Sequence, residues 1–390
     1  MFACVILRDR QIVCIGFADW DSELWTNQQH LMSRLATANR VLFVESLGLR
    51  RPQLAARDGR RIVRRLRRGL APPRAVDGLH VLSPLVLPVH DRPRLRSLNA
   101  ALLNRQVAAA ARGLDLERPI LWSYVPQAEV LLDGLRPERV VYHCVDDIAA
   151  QKGVAAGAFR AAETRFAARA DLVLASAPAL AERMRTLSDR VLDAPNVADT
   201  ERFATALEPG PVDAALAALP RPRIVFTGAV VATKLDVALV AALAARRPHW
   251  SFALVGPVGA GDPGTDLSRL AAGNVHLLGP RAYGDLPAVL RGADAGFIPY
   301  ALNALTRSVF PMKVYEYLAA GLPVVATPLP ALAGVPDVAV AADAEGLARC
   351  LDEALATDGP ALRRERSARA RPHSWERRLE EIGAALEPPR

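Results

Sequence analysis

Short apolar runs without polar alternation recur along the chain, separated by stretches whose apolar residues return every third or fourth position. Runs of the first kind make strands covered on both faces of a parallel sheet, and the second kind makes amphipathic helices. In the first half, strand-like runs fall at Gln11–Phe17, Arg40–Glu45, Leu79–Val86, Pro119–Tyr124, Arg139–Cys144, Ala170–Ser176 and Val191–Ala194. Helical stretches lie between them at Asn27–Ala36, Leu95–Ala111, Gln127–Leu132, Ala155–Ala168 and Pro178–Leu187. Crossovers of helix length join parallel strands, so this half predicts a doubly wound α/β domain.

From about Asn196 to Pro222 the pattern turns irregular and rich in proline and acids, which reads as a linker. Alternation then restarts. Strand runs at Arg223–Thr227, Ser251–Gly256, Asn274–Gly279, Ala293–Pro299, Pro323–Ala326 and Val338–Ala341 alternate with helices at Asp236–Ala245, Leu286–Gly292 and Ala344–Ala356, and with one begun at Pro311. A last helix, Ser374–Leu386, carries Trp375, Leu379, Ile382 and Leu386 on one side. The expectation is two Rossmann-like domains, residues 1–205 and 206–370, followed by a C-terminal helix, 371–390. Ligands of such folds sit at the carboxyl ends of the strands, here in a cleft between the two halves.

Length agrees, because 390 residues exceed one ordinary core. No apolar run reaches the eighteen or so residues of a membrane span, and Met1–Leu7 lacks a basic region and a cleavage site, so a cytoplasmic protein is expected. Cys4, Cys14, Cys144 and Cys350 show no metal-ligand spacing and read as reduced thiols. The net charge of +8 is concentrated in Arg50–Arg74, which holds ten arginines and a single acid, Asp58. There Ile62, Val63, Leu66 and Leu70 line one side of a potential helix, the pattern of a segment lying on an anionic membrane surface or of a solvated basic loop. The segment has no interleaved aromatics, so nucleic acid is not the expected partner.

The richest stretch is Thr306–Thr327, TRSVFPMKVYEYLAAGLPVVAT. Pro311 suits a first helical turn, Gly321 a left-handed cap and Pro323 a stop, which predicts a helix of about ten residues. The polar loop Thr306-Arg307-Ser308 precedes it, and Lys313 and Glu316 share a face at i, i+3. A helix N-terminus, a cation and a carboxylate that accepts from a diol suit an anion carrying hydroxyls, as a nucleoside diphosphate does. Read alone, the same pair is a solvated surface ion pair. In the same half, Arg223–Thr227 runs into Gly228, where backbone can approach a phosphate, and Lys234 follows as a second cation or as a surface lysine lying along apolar groups.

Gly259–Gly264 matches G-x-G-x-x-G, yet Pro263 interrupts the turn and the next strand ends without an acid for a ribose, so no dinucleotide site is expected. In the first half Arg139–Cys144 leads into Val145-Asp146-Asp147. Repulsion between adjacent carboxylates raises one pKa, which suits a general base, while one of the two can cap the following helix. Asp146 is read as the base and Asp147 as orienter or cap; His143 points to the opposite face from Cys144. Asp19-Trp20-Asp21 spells D-x-D, but capping or acceptor contact explains it as well as a metal does, and no metal is assigned.

Four stretches, VYHCVDD at Val141–Asp147, FTGAVVATKLD at Phe226–Asp236, GPRAYGDLPAVLRGADAGFIPY at Gly279–Tyr300 and PMKVYEYLAAGLPVVATPLP at Pro311–Pro330, resemble the two-domain glycosyltransferases of the GT-B fold. The resemblance is to family-1-like bacterial glycosyl transferases of the teichuronic-acid and exopolysaccharide type. It implies a first domain for the acceptor, a second for a nucleotide-sugar donor, and a final helix crossing back to the first. It further implies that Glu316 holds the ribose hydroxyls, Lys313 and Lys234 the diphosphate, and the backbone around Arg281 the base. Gly228, Arg307 and Ser308 are read as further residues of the donor site. The donor is a substrate, and no separate cofactor is implied. Retaining members carry E-x7-E, but Ser308 stands eight residues before Glu316, and Ala229 stands where many have arginine. With Asp146 and Asp147 available, inversion by direct displacement is the more economical reading, and retention stays the alternative. An epimerase acting on the nucleotide sugar and a sugar-nucleotide-binding protein without catalysis are the alternatives.

Overall fold

The computed structural model describes residues 7–47, 68–69, 71–86, 93–151, 153–260, 262, 264–271 and 273–387. They form two compact units, Met1–Pro195 with Leu379–Arg390, and Asn196–Arg378. Most of the Arg50–Arg74 segment, with Cys4, Gly261 and Pro263, lies outside the described residues, and so do the expectations attached to them.

The first unit carries β1 (Gln11–Ile15), β2 (Arg40–Val44), β3 (Arg74–Val76), β4 (Leu79–Leu82), β5 (Ile120–Ser123), β6 (Arg139–Cys144), β7 (Leu172–Ala175) and β8 (Val191–Asp193). They form one sheet in the order β3-β4-β2-β1-β5-β6-β7-β8. Every pairing is parallel except β3 with β4, a hairpin closed by Asp77-Gly78, both at positive φ. Such a turn matches strand twist, and Asp-Gly was its sequence signal. One sheet face, with Val13, Val44, Leu121 and Tyr142, packs in a core with Leu103 and Val107 of helix Pro93–Gly113 and with Phe159 and Phe166 of helix Ala156–Arg169. Helix Asn27–Ala36 is closed by a capping box between Thr26 and Gln29.

The second unit carries β9 (Arg223–Thr227), β10 (Ser251–Val255), β11 (Val275–Gly279), β12 (Ala295–Ile298), β13 (Val324–Ala326) and β14 (Val338–Val340). All are parallel, in the order β11-β10-β9-β12-β13-β14. The expected linker is instead part of this unit. Residues 200–207 and 214–217 are helical, and Phe203 and Leu216 are fully buried in its core. Apolar residues spaced for one face outweighed the prolines around them.

A highly charged helix, Pro360–Ala370, follows Ala344–Thr357 and escaped the pattern reading because few of its residues are apolar. Ion pairs of Arg363 and Arg366 with Asp358, and of Arg369 with Asp337, fasten it instead. The last helix, Trp375–Leu386, starts in the second unit, and its residues from Leu379 on group with the first. Among the described residues no helix is long and apolar enough to cross a membrane.

Candidate functional site

In the second unit the strand ends converge on Lys313. The helix that holds it, Lys313–Ala319, starts two residues after Pro311 and is shorter than predicted; Gly321, at φ +79, supplies the left-handed cap. Four residues beyond Lys313, the Tyr317 hydroxyl accepts the Thr227 backbone N–H at 2.7 Å, locking the helix to the last residue of β9. Gly296 on β12 permits this packing, since a Cβ there would lie 2.3 Å from the Tyr317 ring. The consequence is the placement of Lys313 beside Gly228, where an added Cβ would lie 3.4 Å from Nζ. The ammonium donates to the Tyr300 hydroxyl at 2.9 Å and faces the Phe226 and Tyr300 rings at 5.0 and 5.1 Å. Such contacts hold a cation without neutralising it.

Gly228 sits at φ +125 and donates its N–H to the Val255 carbonyl at 2.8 Å. The loops after β9 and β10 are so close that a Cβ on Gly256 would fall 1.9 Å from the Gly228 carbonyl oxygen. Glycine at both positions is a requirement of this approach. Lys234 is half-buried at the far end of the same loop; its carbonyl accepts from Ala301 at 2.8 Å, and Asn303 donates to the Thr233 carbonyl at 3.0 Å. Lys234 therefore joins the group through its backbone.

Glu316 is only 6% exposed, which rules out the solvated surface pair. Burial pushes its carboxyl up to about 7, against the lowering pull of Lys313. Its side chain makes no hydrogen bond or ion pair among the described residues. Thr306–Ser308 form one tight turn: Thr306 donates to the Ala301 carbonyl, Ser308 is buried and Arg307 is exposed. Arg281 has its side chain committed, with Nε 2.6 Å from Asp213 and Nη1 donating to the Leu278 carbonyl at 2.8 Å. The Arg281 guanidinium in turn holds the Asp213 carboxyl below its ordinary range. Only the Arg281 backbone remains for a ligand.

In the first unit, β6 ends in Val145-Asp146-Asp147. Ser176 clamps this loop, its N–H donating to the Cys144 carbonyl at 3.1 Å and its hydroxyl to the Val145 carbonyl at 2.8 Å. Asp147 caps nothing with its side chain, so of its two expected roles, orienter or cap, the cap is not seen. Both of its oxygens receive Nη2 of Arg160, at 2.6 and 2.7 Å, so the guanidinium and not the helix end holds this carboxylate. His143 is buried and stacks on Tyr124 at 4.8 Å. Burial, with the Glu163 charge added, pushes the neighbouring Cys144 thiol up to about 12, so it stays protonated at neutral pH.

Of the D-x-D pair, Asp21 is paired with Arg74 at 2.9 Å and with Arg68 at 3.2 Å, and both aspartates are exposed. Among the described residues no group of three histidine, cysteine or acidic side chains is arranged to hold a metal ion. Sequence reasoning missed Tyr300, Tyr317, Arg160 and Glu163. Tyr317, at i+4 from Lys313, and Glu163, on the same helix face as Phe159 and Phe166, carried a periodicity signal.

Residues 221–357 match the family model of glycosyl transferases group 1. The chain is 30% identical over 241 residues to TuaH of Bacillus subtilis (strain 168), named as a glycosyltransferase of teichuronic acid biosynthesis; the match spans 59% of this chain and 59% of that relative. Among solved structures, the sucrose-phosphate synthase of Thermosynechococcus elongatus superimposes with a TM-score of 0.68 at 16% identity, over 96% of this chain and 98% of that one. Anabaena HepE, in complex with UDP and glucose, does so with a TM-score of 0.65 at 15% identity, over 96% and 98%. The fold is thus that of the GT-B glycosyltransferases.

Proposed function

We propose that this protein is a glycosyltransferase that moves a sugar from a nucleoside-diphosphate sugar to an acceptor hydroxyl, in the synthesis of a cell-surface polysaccharide or glycolipid. The observation that carries the reading is the Lys313 ammonium, held by the Phe226 ring and the Tyr300 phenol beside the Gly228 backbone at the end of β9. A cation next to a close-approach glycine is built for an anion. The group 1 match over residues 221–357 covers this site and supports the donor class. The UDP in the HepE structure supports a nucleotide there.

In the proposed reaction the acceptor O–H gives its proton to Asp146 while its oxygen bonds to the anomeric carbon. The bond from that carbon to the diphosphate oxygen breaks, and the nucleoside diphosphate leaves with the electron pair. Lys313 and Lys234 stabilise the charge developing on it, Glu316 accepts from the ribose hydroxyls, and Gly228, Arg307, Ser308 and the Arg281 backbone line the donor. Asp147 orients the loop that carries Asp146. Displacement from the opposite side inverts the anomeric centre.

The Arg50–Arg74 segment would hold the enzyme on the inner face of the cell membrane, near a lipid-linked acceptor. Flotation with anionic vesicles tests this, and binding indifferent to Arg-to-Ser changes there would sink it.

A thermal-shift screen of nucleoside-diphosphate sugars, followed by a transfer assay with the sugar that binds, tests the central reading. A donor that raises the melting temperature of the wild type but not of Lys313→Ala is expected. Transfer undiminished in both Lys313→Ala and Asp146→Ala would overturn it.

A further inference from the structure

Behind the Asp146-Asp147 loop lies a chain of paired charges, built on one buried carboxylate, that donor chemistry does not require. Glu163, 1% exposed on helix Ala156–Arg169, is its centre. One carboxylate oxygen accepts the Tyr142 hydroxyl at 2.7 Å; the other takes Nη1 of Arg160 at 3.1 Å and is in close contact with Nη1 of Arg183. Arg160 spans from Glu163 to Asp147, whose two oxygens receive its Nη2. Arg183, on helix Pro178–Arg185, also reaches the Cys144 sulfur at 3.6 Å. Two acids and two arginines therefore cancel. Three separate elements, β6 and two helices, hold one aspartate on a loop after a strand end.

Burying such a network is a poor way to gain stability, because apolar side chains of similar volume do as well or better. A fully partnered network does, however, restrict its members to one arrangement. We infer that Glu163 and Arg160 are positioning residues for sugar transfer: Glu163 fixes the Arg160 guanidinium, and Arg160 fixes the loop bearing Asp146 through Asp147. The inference rests on the proposal that this loop serves the reaction. Glu163 touches no reacting atom in this assignment. Its effect belongs in kcat, because the loop is set for the chemical step, and not in donor affinity, because the donor residues lie in the other unit.

The experiment compares Asp147→Asn, Glu163→Gln, Arg160→Gln and the double variant Glu163→Gln/Asp147→Asn in the full chain. Transfer is assayed with the donor found by thermal shift, and the donor-induced shift of each variant is recorded. Each single variant is expected to lose between about tenfold and a hundredfold in kcat, with donor KM and donor-induced shift unchanged, as for a small displacement of a reacting group. The double variant should fall no further than Asp147→Asn, since both changes release the same loop. A folded Glu163→Gln or Arg160→Gln with wild-type kcat, beside an impaired Asp147→Asn, overturns the positioning role and leaves the loop's role standing. Asp147→Asn at full rate removes the loop from the reaction and takes the inference with it. If Glu163→Gln does not fold, Arg160→Gln decides, because that arginine is partly exposed and Glu163 keeps Arg183 and Tyr142 as partners without it.

Discussion

Two strand ends, one in each unit, use charge in opposite ways. After β6 every charge has a protein partner: Asp147 and Glu163 are matched by Arg160 and Arg183. At the end of β9, by contrast, Lys313 rests on the Phe226 ring and the Tyr300 phenol, and Glu316 is buried without a hydrogen bond or ion pair among the described residues. The first arrangement spends its electrostatics internally and yields a rigid loop. The second leaves a cation and a carboxyl without an ion pair among the described residues, and a ligand that brings phosphates and hydroxyls completes both. Perturbed, incompletely satisfied groups mark the place where a partner binds, while satisfied networks mark the frame that holds geometry.

Removing one member from the satisfied network should do the most damage. Glu163→Ala leaves Arg160 and Arg183 facing each other without their buried anion and should cost about 3–5 kcal/mol of stability, measured by urea denaturation. A loss under about 1 kcal/mol would mean that water compensates the arginines and the contrast between the regions is false. The corresponding change in the other region, Lys313→Ala, removes a cation that forms no ion pair among the described residues. It should leave folding nearly intact while weakening nucleoside-diphosphate binding by about 1.5–3 kcal/mol, roughly tenfold to a hundredfold, in a titration calorimeter. Equal affinity in the variant would take the anion site away from Lys313.

How much of this was legible follows the same division. The strands Arg139–Cys144 and Arg223–Thr227 and the helix Asn27–Ala36 fall on the residues expected, because burial on both faces or on one stripe writes itself directly into the order of residues. Lys313, Glu316, Gly228 and the Asp146-Asp147 pair were visible as residue types at strand ends. Their partners were not. Asp147 finds Arg160, and Lys313 finds Tyr300, thirteen positions away in each case, across a loop whose path no local periodicity encodes. Tyr317 and Glu163 left a trace in the helical period, but a carboxylate on the apolar face of its helix, read locally, is an anomaly without a cause. Beside Glu316, Tyr315 stacks on His373, which comes from far along the chain and which no local pattern announces.

A smaller effect tests whether the donor region depends on backbone approach as well as on charge. In Gly256→Ala the new methyl group meets the Gly228 carbonyl oxygen at 1.9 Å, and φ +154 adds strain of its own, so the loop after β9 has to shift. Overpacking of this kind costs about 1–3 kcal/mol. The expected result is a lower melting temperature together with weaker nucleotide binding, although Gly256 carries no charge. Unchanged binding in a destabilised protein would separate the Gly228 loop from the site.

The finest distinction concerns the proton on Glu316. Its carboxyl, pushed by burial from 4.5 in the exposed state to about 7, keeps a proton in the folded protein at pH values where the unfolded chain has already released it. The stability this contributes is complete below the unfolded value, declines as pH rises between the two, and levels off above about 7, with a slope of at most about 1.4 kcal/mol per pH unit. Glu316→Gln should remove that slope: denaturation curves of variant and wild type should agree near the acid end of the window, and the variant should be the more stable above pH 7. Binding has the opposite sign. Ribose hydroxyls donate best to the charged carboxylate, so nucleotide affinity of the wild type should rise through about pH 7 and that of Glu316→Gln should not. A variant that keeps the wild-type dependence in both measurements would show that the buried carboxyl neither titrates there nor meets the nucleotide, and the half of the comparison without ion pairs among the described residues would then reduce to Lys313 alone.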